Sequence, residues 1–86
     1  MPVISSFFGI VIRMFQEEHA PPHFHAEYQG QDAMFSLDGD LMVGQIRSRR
    51  AMRLIHDWAQ AHRPELAANW ERIEKGEPLE RISPLE

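Results

Sequence analysis

The side chains best able to do chemistry in this chain crowd into one segment, His19-Ala20-Pro21-Pro22-His23-Phe24-His25-Ala26-Glu27-Tyr28. In an extended strand, residues two apart leave the same face with Cα atoms about 6.5–7 Å apart. His23 and His25 have that spacing, and two imidazoles so placed can share one metal ion. His19 can reach back over them from the proline loop, and Glu27 can add an oxygen. A His19, His23, His25 ligand set is rich in nitrogen, which favours Zn2+ over another divalent transition metal such as nickel or iron. The same residues also permit metal-free chemistry. Histidine titrates near neutral pH, so a pair can serve as general base and general acid in phosphodiester cleavage. Arg13 is the only basic side chain among the first forty residues, and a guanidinium beside two imidazoles can hold a phosphate bidentately. The candidate catalytic set is then His23, His25, Glu27 and Arg13, with Tyr28 or Glu27 assisting proton transfer. A third arrangement needs no reaction: a hydrogen-bonded histidine cluster that locks the loop onto a sheet, with Arg13 paired to Glu27 across neighbouring strands. The spacing alone leaves all three open.

Arg47, Arg49, Arg50 and Arg53 make a second unusual group, with no acid among them. If a helix begins near Ser48, these cations crowd its positive end, where each is disfavoured by some tenths of a kcal/mol. Such a cluster can be plain solvated surface, a helix that starts later, or a docking site for an anion. RNA would use it through phosphates and a partner protein through acidic side chains.

The elements that must position these groups follow from the pattern of apolar residues. Gly9 to Phe15 is β-branched and apolar and reads as a central strand, with Ile10, Ile12 and Met14 on one face and Val11, Arg13 and Phe15 on the other. Glu17 to Pro22 is a loop, because Pro21 and Pro22 can neither continue a ladder nor enter a helix. His23 to Tyr28 alternates, placing Phe24, Ala26 and Tyr28 opposite His23, His25 and Glu27. A turn at Gln29 to Asp32 leads into a returning strand, Ala33 to Leu37, and Leu41 to Ile46 can add a short edge strand. From about Ser48 the period becomes helical through Met52, Ile55, Trp58, Ala59 and His62. Pro64 and Glu65 suit the start of a second helix carrying Leu66, Trp70 and Ile73, and Gly76 with Pro78 stops it. Trp58 and Trp70 read as packing residues, His62 as a capped residue at the end of its stripe, and Asn69 as a local hydrogen-bonding group. The expected fold is α+β: a three- to four-stranded antiparallel sheet over about residues 1–46, two packed C-terminal helices over 48–76, and an extended tail over 77–86.

Eighty-six residues allow one domain, and domains of this size are often marginal alone, which makes tight packing, a histidine-based metal site or association with another chain welcome. The chain has no cysteine, so disulfides and thiolate zinc sites are excluded, and a cytoplasmic location is expected. Met1 to Ser6 has no basic leader, and no apolar run approaches the roughly 20 residues that span a bilayer, so a membrane is not expected as a partner. The net charge of −4 hides an asymmetry. Residues 1–40 hold one basic and six acidic side chains, whereas residues 41–86 hold eight basic and seven acidic. That balance argues against non-specific nucleic-acid binding while leaving local contact through the arginines open.

Two stretches also carry a resemblance. Met1-Pro2-x-Ile4-Ser5-x-Phe7-x-Gly9-Ile10-x-Ile12-Arg13-Met14, followed by His19-x-Pro21-Pro22-His23-Phe24-His25-Ala26-x-Tyr28, resembles a prokaryotic family of short proteins known only as a domain of unknown function. Arg50-Ala51-x-Arg53-Leu54 through Trp58-Ala59, His62-Arg63, Glu65-Leu66 and Asn69-Trp70 resembles the same family. The resemblance implies one component of a toxin–antitoxin-like regulatory pair, with a cognate small protein as partner and often encoded beside another short protein. It implies no particular activity. A small histidine-based hydrolase, metal-dependent or a metal-free ribonuclease, is the competing expectation, and self-association is a further possibility for so small a core.

Overall fold

A computed structural model describes residues 3–86. Five strands come first: β1 (Val3–Phe7), β2 (Ile10–Arg13), β3 (His23–Tyr28), β4 (Gln31–Ser36) and β5 (Leu41–Gly44). Two helices follow, α1 (Arg49–Ala61) and α2 (Arg63–Lys75). The strands form one antiparallel sheet in the order β1-β2-β3-β4-β5, each pairing with its neighbour in sequence. The class is the expected α+β, but the sheet has five strands where three to four are expected.

The extra strand is β1. Its burial does not alternate, because the register shifts between Val3 and Ser5, and Ile4 and Ser5 are both buried. The β1–β2 hairpin turns through Phe8 and Gly9, with φ of 49° and 81°. Two-residue hairpin turns commonly need positive φ at both positions, which Asn-Gly supplies cheaply and Phe does not. Gln29 and Gly30 repeat this solution between β3 and β4, with φ of 50° and 77°.

One sheet face carries the core. Ile10, Ile12, Phe24, Ala26, Ala33 and Phe35 are buried on it. Trp58 of α1 packs against Phe7 and Phe24 at ring-centroid distances of 5.6 Å each, and Phe24 stacks on Phe35 at 5.5 Å. Burial of each such side chain contributes about 1.5–3 kcal/mol relative to exposure. The helix bounds follow local chemistry: the Ser48 side chain caps α1 by accepting from the Ala51 N–H at 3.0 Å. Pro64 and Glu65 open α2, and Gly76 closes it in the left-handed conformation. Neither helix is long and apolar enough to cross a membrane.

The segment after α2 lies against its own chain. Ile82 is buried and its N–H donates to the Ile4 carbonyl at 2.7 Å, so the tail engages β1 at one border of the sheet. Trp58 Nε1 donates to the Ser83 carbonyl at 2.9 Å, and buried Asn69 bonds both backbone groups of Glu80. Among the described residues, the other border, β5, has only β4 beside it.

Candidate metal centre and basic edge

β3 places His23 and His25 on the face opposite Phe24, as alternation requires, and their rings meet edge-on with centroids 5.1 Å apart. The loop between β2 and β3 brings Glu18 over them. Its Oε1 lies 2.5 Å from His25 Nε2, and its Oε2 lies 3.2 Å from His23 Nε2. Phe15 packs edge-on to His25 at 4.9 Å, and Trp70 of α2 covers His23 at 5.4 Å. That indole explains why a polar residue on the outward sheet face is only 4% exposed.

The protonation of His23 can be read from its partners. Its Nδ1 lies 2.8 Å from the Pro21 carbonyl oxygen, which can only accept, so Nδ1 carries a proton and donates it. In the neutral ring, Nε2 is then a lone pair. This atom is buried without a hydrogen-bond partner, although it lies 3.2 Å from Glu18 Oε2. The separation is short enough for an ion pair, but the direction is not that of an N–H···O bond. The directional criterion is the better guide to hydrogen bonding, so Nε2 is an unpartnered nitrogen facing a carboxylate.

The other candidate residues lie around this cluster. Arg13 stands opposite His25 in the β2–β3 register, and its Nη1 donates to Glu27 Oε1 at 2.6 Å. Glu27 is thereby paired with Arg13, and the carboxylate facing the histidines is Glu18. His19 is exposed and lies outside the Glu18, His23, His25 group. The diproline loop therefore turns Glu18 inward where His19 is expected. No periodicity fixes which loop side chain points in, so the adjacent Glu17-Glu18-His19 run is the only sequence signal for this contact. Trp70 and Phe15 as walls of the site were likewise not legible, because each arrives from outside β3. His62, expected as a capped residue at the end of its stripe, pairs with the Glu65 carboxylate at 3.0 Å.

Arg47, Arg49, Arg50 and Arg53 are all exposed. Among the described residues, the arginines in ion pairs are Arg13, Arg63 and Arg72, none from this cluster. The first turn of α1 holds no acidic residue, so the positive helix end and the arginines reinforce one another. The Arg50 guanidinium carbon sits 5.9 Å from the centre of the exposed Phe8 ring. The Arg47 N–H donates to Gln31 Oε1 at 2.7 Å, which ties the cluster to the β4 end of the β3–β4 hairpin. Just before it in sequence, Leu41, Met42 and Val43 of β5 are all exposed, Val43 by 60%. Among the described residues, no backbone hydrogen bond from outside the β4 ladder reaches Leu41–Gly44.

No match was found among curated proteins or among solved structures. A family model described as "Domain of unknown function (DUF4160)" matches residues 9–71, which takes in the histidine strand, the loop bearing Glu18, the arginine cluster and most of both helices. The chain belongs to the DUF4160 family.

Proposed function

We propose that the protein works by binding another protein, as one cytoplasmic component of a two-protein regulatory pair of the toxin–antitoxin type. The observation that carries this reading is β5: a sheet-edge strand whose Leu41, Met42 and Val43 are all exposed. Sheet edges left bare are templates for another strand, and folded proteins usually blunt them with charge, proline or a covering segment. Here Arg47, Arg49, Arg50 and Arg53 stand beyond the C-terminal end of β5, and among the described residues none of them is in an ion pair. An extended partner segment that pairs with β5 and carries acidic residues at its far end suits both features. Backbone bonds would supply affinity and the side chains specificity. The −4 net charge of the chain favours a protein over RNA at this surface.

The test is co-purification with any short protein encoded beside it, as the family resemblance implies. Changing Arg49, Arg50 and Arg53 to Glu should abolish the complex, as should Val43→Lys, while Lys75→Glu leaves it intact. Because the changed side chains are exposed, folding should shift by no more than about 0.5 kcal/mol for each. A complex that survives both changes refutes the reading. Binding of RNA that weakens with salt at a slope near −0.7 per phosphate contact would assign the surface to nucleic acid. A dimer lost in Val43→Lys would assign it to a second copy of the chain. The hydrolase reading draws instead on the face bearing His23, His25, Glu27 and Arg13, where the Arg13–Glu27 pair at 2.6 Å would have to open before a phosphate could replace the carboxylate.

A further inference from the structure

We infer that Glu18, His23 and His25 form a three-ligand site for a divalent transition-metal ion, independent of the partner surface. One ligand atom from each residue lies within 4.8 Å of those from the other two. Zn2+ bound tetrahedrally at about 2.0–2.1 Å sets its ligand atoms roughly 3.3 Å apart. The His23 Nε2 to Glu18 Oε2 separation of 3.2 Å already has that length. The His25 Nε2 to Glu18 Oε1 separation of 2.5 Å is shorter, and a rotation of the carboxylate moving this oxygen by less than about 1 Å brings it to the tetrahedral edge.

Hydrogen bonding at His23 supports the assignment from a different direction. A metal-binding imidazole usually donates its other N–H to a carbonyl or carboxylate, which fixes the tautomer and the ring. His23 does this through Nδ1 to the Pro21 carbonyl at 2.8 Å. The remaining nitrogen is buried, unpartnered and 3.2 Å from a carboxylate oxygen. A buried polar atom left unpaired costs about 1–3 kcal/mol, and an imidazole lone pair 3.2 Å from a carboxylate oxygen calls for a cation, which a metal ion can supply as a proton can. A metal ion supplies that cation, replaces the proton His25 shares with Glu18, and satisfies all three side chains together. The His25 and Glu18 side chains are 28% and 22% exposed, so the fourth coordination position faces solvent. Two histidines, one carboxylate and an open position are the ligand set of catalytic rather than closed structural zinc sites.

The test uses the full chain without a histidine tag, purified without chelator and titrated separately with Zn2+ and Co2+. Equilibrium dialysis with elemental analysis should give one ion per chain, and the Co2+ form should show the visible bands of a low-symmetry site. Glu18→Gln and His25→Ala should each weaken binding at least 100-fold, since even outer-shell changes cost roughly 10–100-fold. His19→Ala and Glu27→Gln should bind as the unchanged protein does. Glu18 is partly exposed, so its variant keeps the test valid if a His23 variant does not fold. Circular dichroism of each variant confirms the fold. Absence of saturable binding, or Glu18→Gln binding at wild-type strength, overturns the site. Loss of binding in His19→Ala with retention in Glu18→Gln overturns it in favour of the all-histidine set.

Discussion

Replacing Asn69 by alanine should release the C-terminal segment and strongly destabilise the protein. Asn69 is fully buried on α2. Its amide donates to the Glu80 carbonyl at 2.8 Å, and its Oδ1 accepts from the Glu80 N–H at 3.0 Å and from Arg72 Nη1 at 2.8 Å. One side chain thus satisfies both backbone groups of a tail residue, as a strand neighbour would. The two neutral bonds contribute about 1 kcal/mol each, and the charged one about 1.5 kcal/mol at the low end of its range, since Arg72 is partly exposed. Water can reach the freed Glu80 groups, so a loss of about 2–4 kcal/mol is expected. For a domain of this size that lowers the melting temperature by roughly 10–25 °C. Asn69→Asp keeps the acceptor but sets a carboxylate against the Glu80 carbonyl, so its loss should be comparable or larger. Urea unfolding monitored by the fluorescence of Trp58 and Trp70 gives the free energies. Native-state hydrogen exchange at Ile82, whose N–H bonds the Ile4 carbonyl, reports release of the tail. A change below about 0.5 kcal/mol with unaltered protection at Ile82 would refute the account of the tail as an integral part of the fold.

Gly39→Ala should cost clearly more than Gly30→Ala. Both glycines have positive φ, but a Cβ at Gly39 would lie 2.9 Å from the His56 Cα of α1, whereas nothing lies within 4 Å at Gly30. The conformational cost of about 1–2 kcal/mol is common to both, so thermal melts that show equal losses would mean the β4–β5 turn is not seated on α1. The Arg13–Glu27 pair, with side chains 27% and 43% exposed, should show a coupling of at most about 1 kcal/mol in a double-mutant cycle, falling as salt rises. A larger, salt-independent coupling would mean the pair is desolvated, contrary to its exposure.

The sequence makes the histidine strand legible because period-two alternation is a local rule. His23, Phe24 and His25 need only an extended backbone to divide between two faces, and the structure has them so divided. The two helices are legible for a similar reason, since Ser48, Pro64 and Gly76 mark their ends through chemistry within a single turn. β1 is not legible, because its bulge spoils the alternation and Phe8 occupies a turn position that normally announces itself with asparagine or glycine. Glu18 is hidden for a different reason. A loop side chain is aimed by what the loop docks on, and here the docking partners, His25, His23 and Trp70, come from two distant elements. The burial of His23 likewise depends on an indole 47 residues further along the chain.

The arginine part of the partner surface and the metal site lie at opposite ends of β3, while β5 runs back from the arginines to Leu41, two strands from Phe24. His23 opens β3 and Tyr28 closes it, a span of roughly 17 Å at about 3.3 Å per residue. Tyr28 pairs with Gln31, and Gln31 holds the Arg47 backbone, so the arginines gather at the end of β3 that His23 is not on. No residue belongs to both groups, and sites further apart than about 7–10 Å without shared partners usually respond additively to mutation. Glu18→Gln should therefore leave partner binding unchanged, and the arginine reversals should leave metal binding unchanged. Coupling between them would need a two-state element that both sites bias. α1 carries the arginines at its start and is followed directly by α2, whose Trp70 covers His23. A shift of that helix pair is the available route, since it would move the basic helix end and uncover the histidine together. If partner binding changes metal affinity, the helix pair is where the linkage lies, and Trp70→Phe should reduce it.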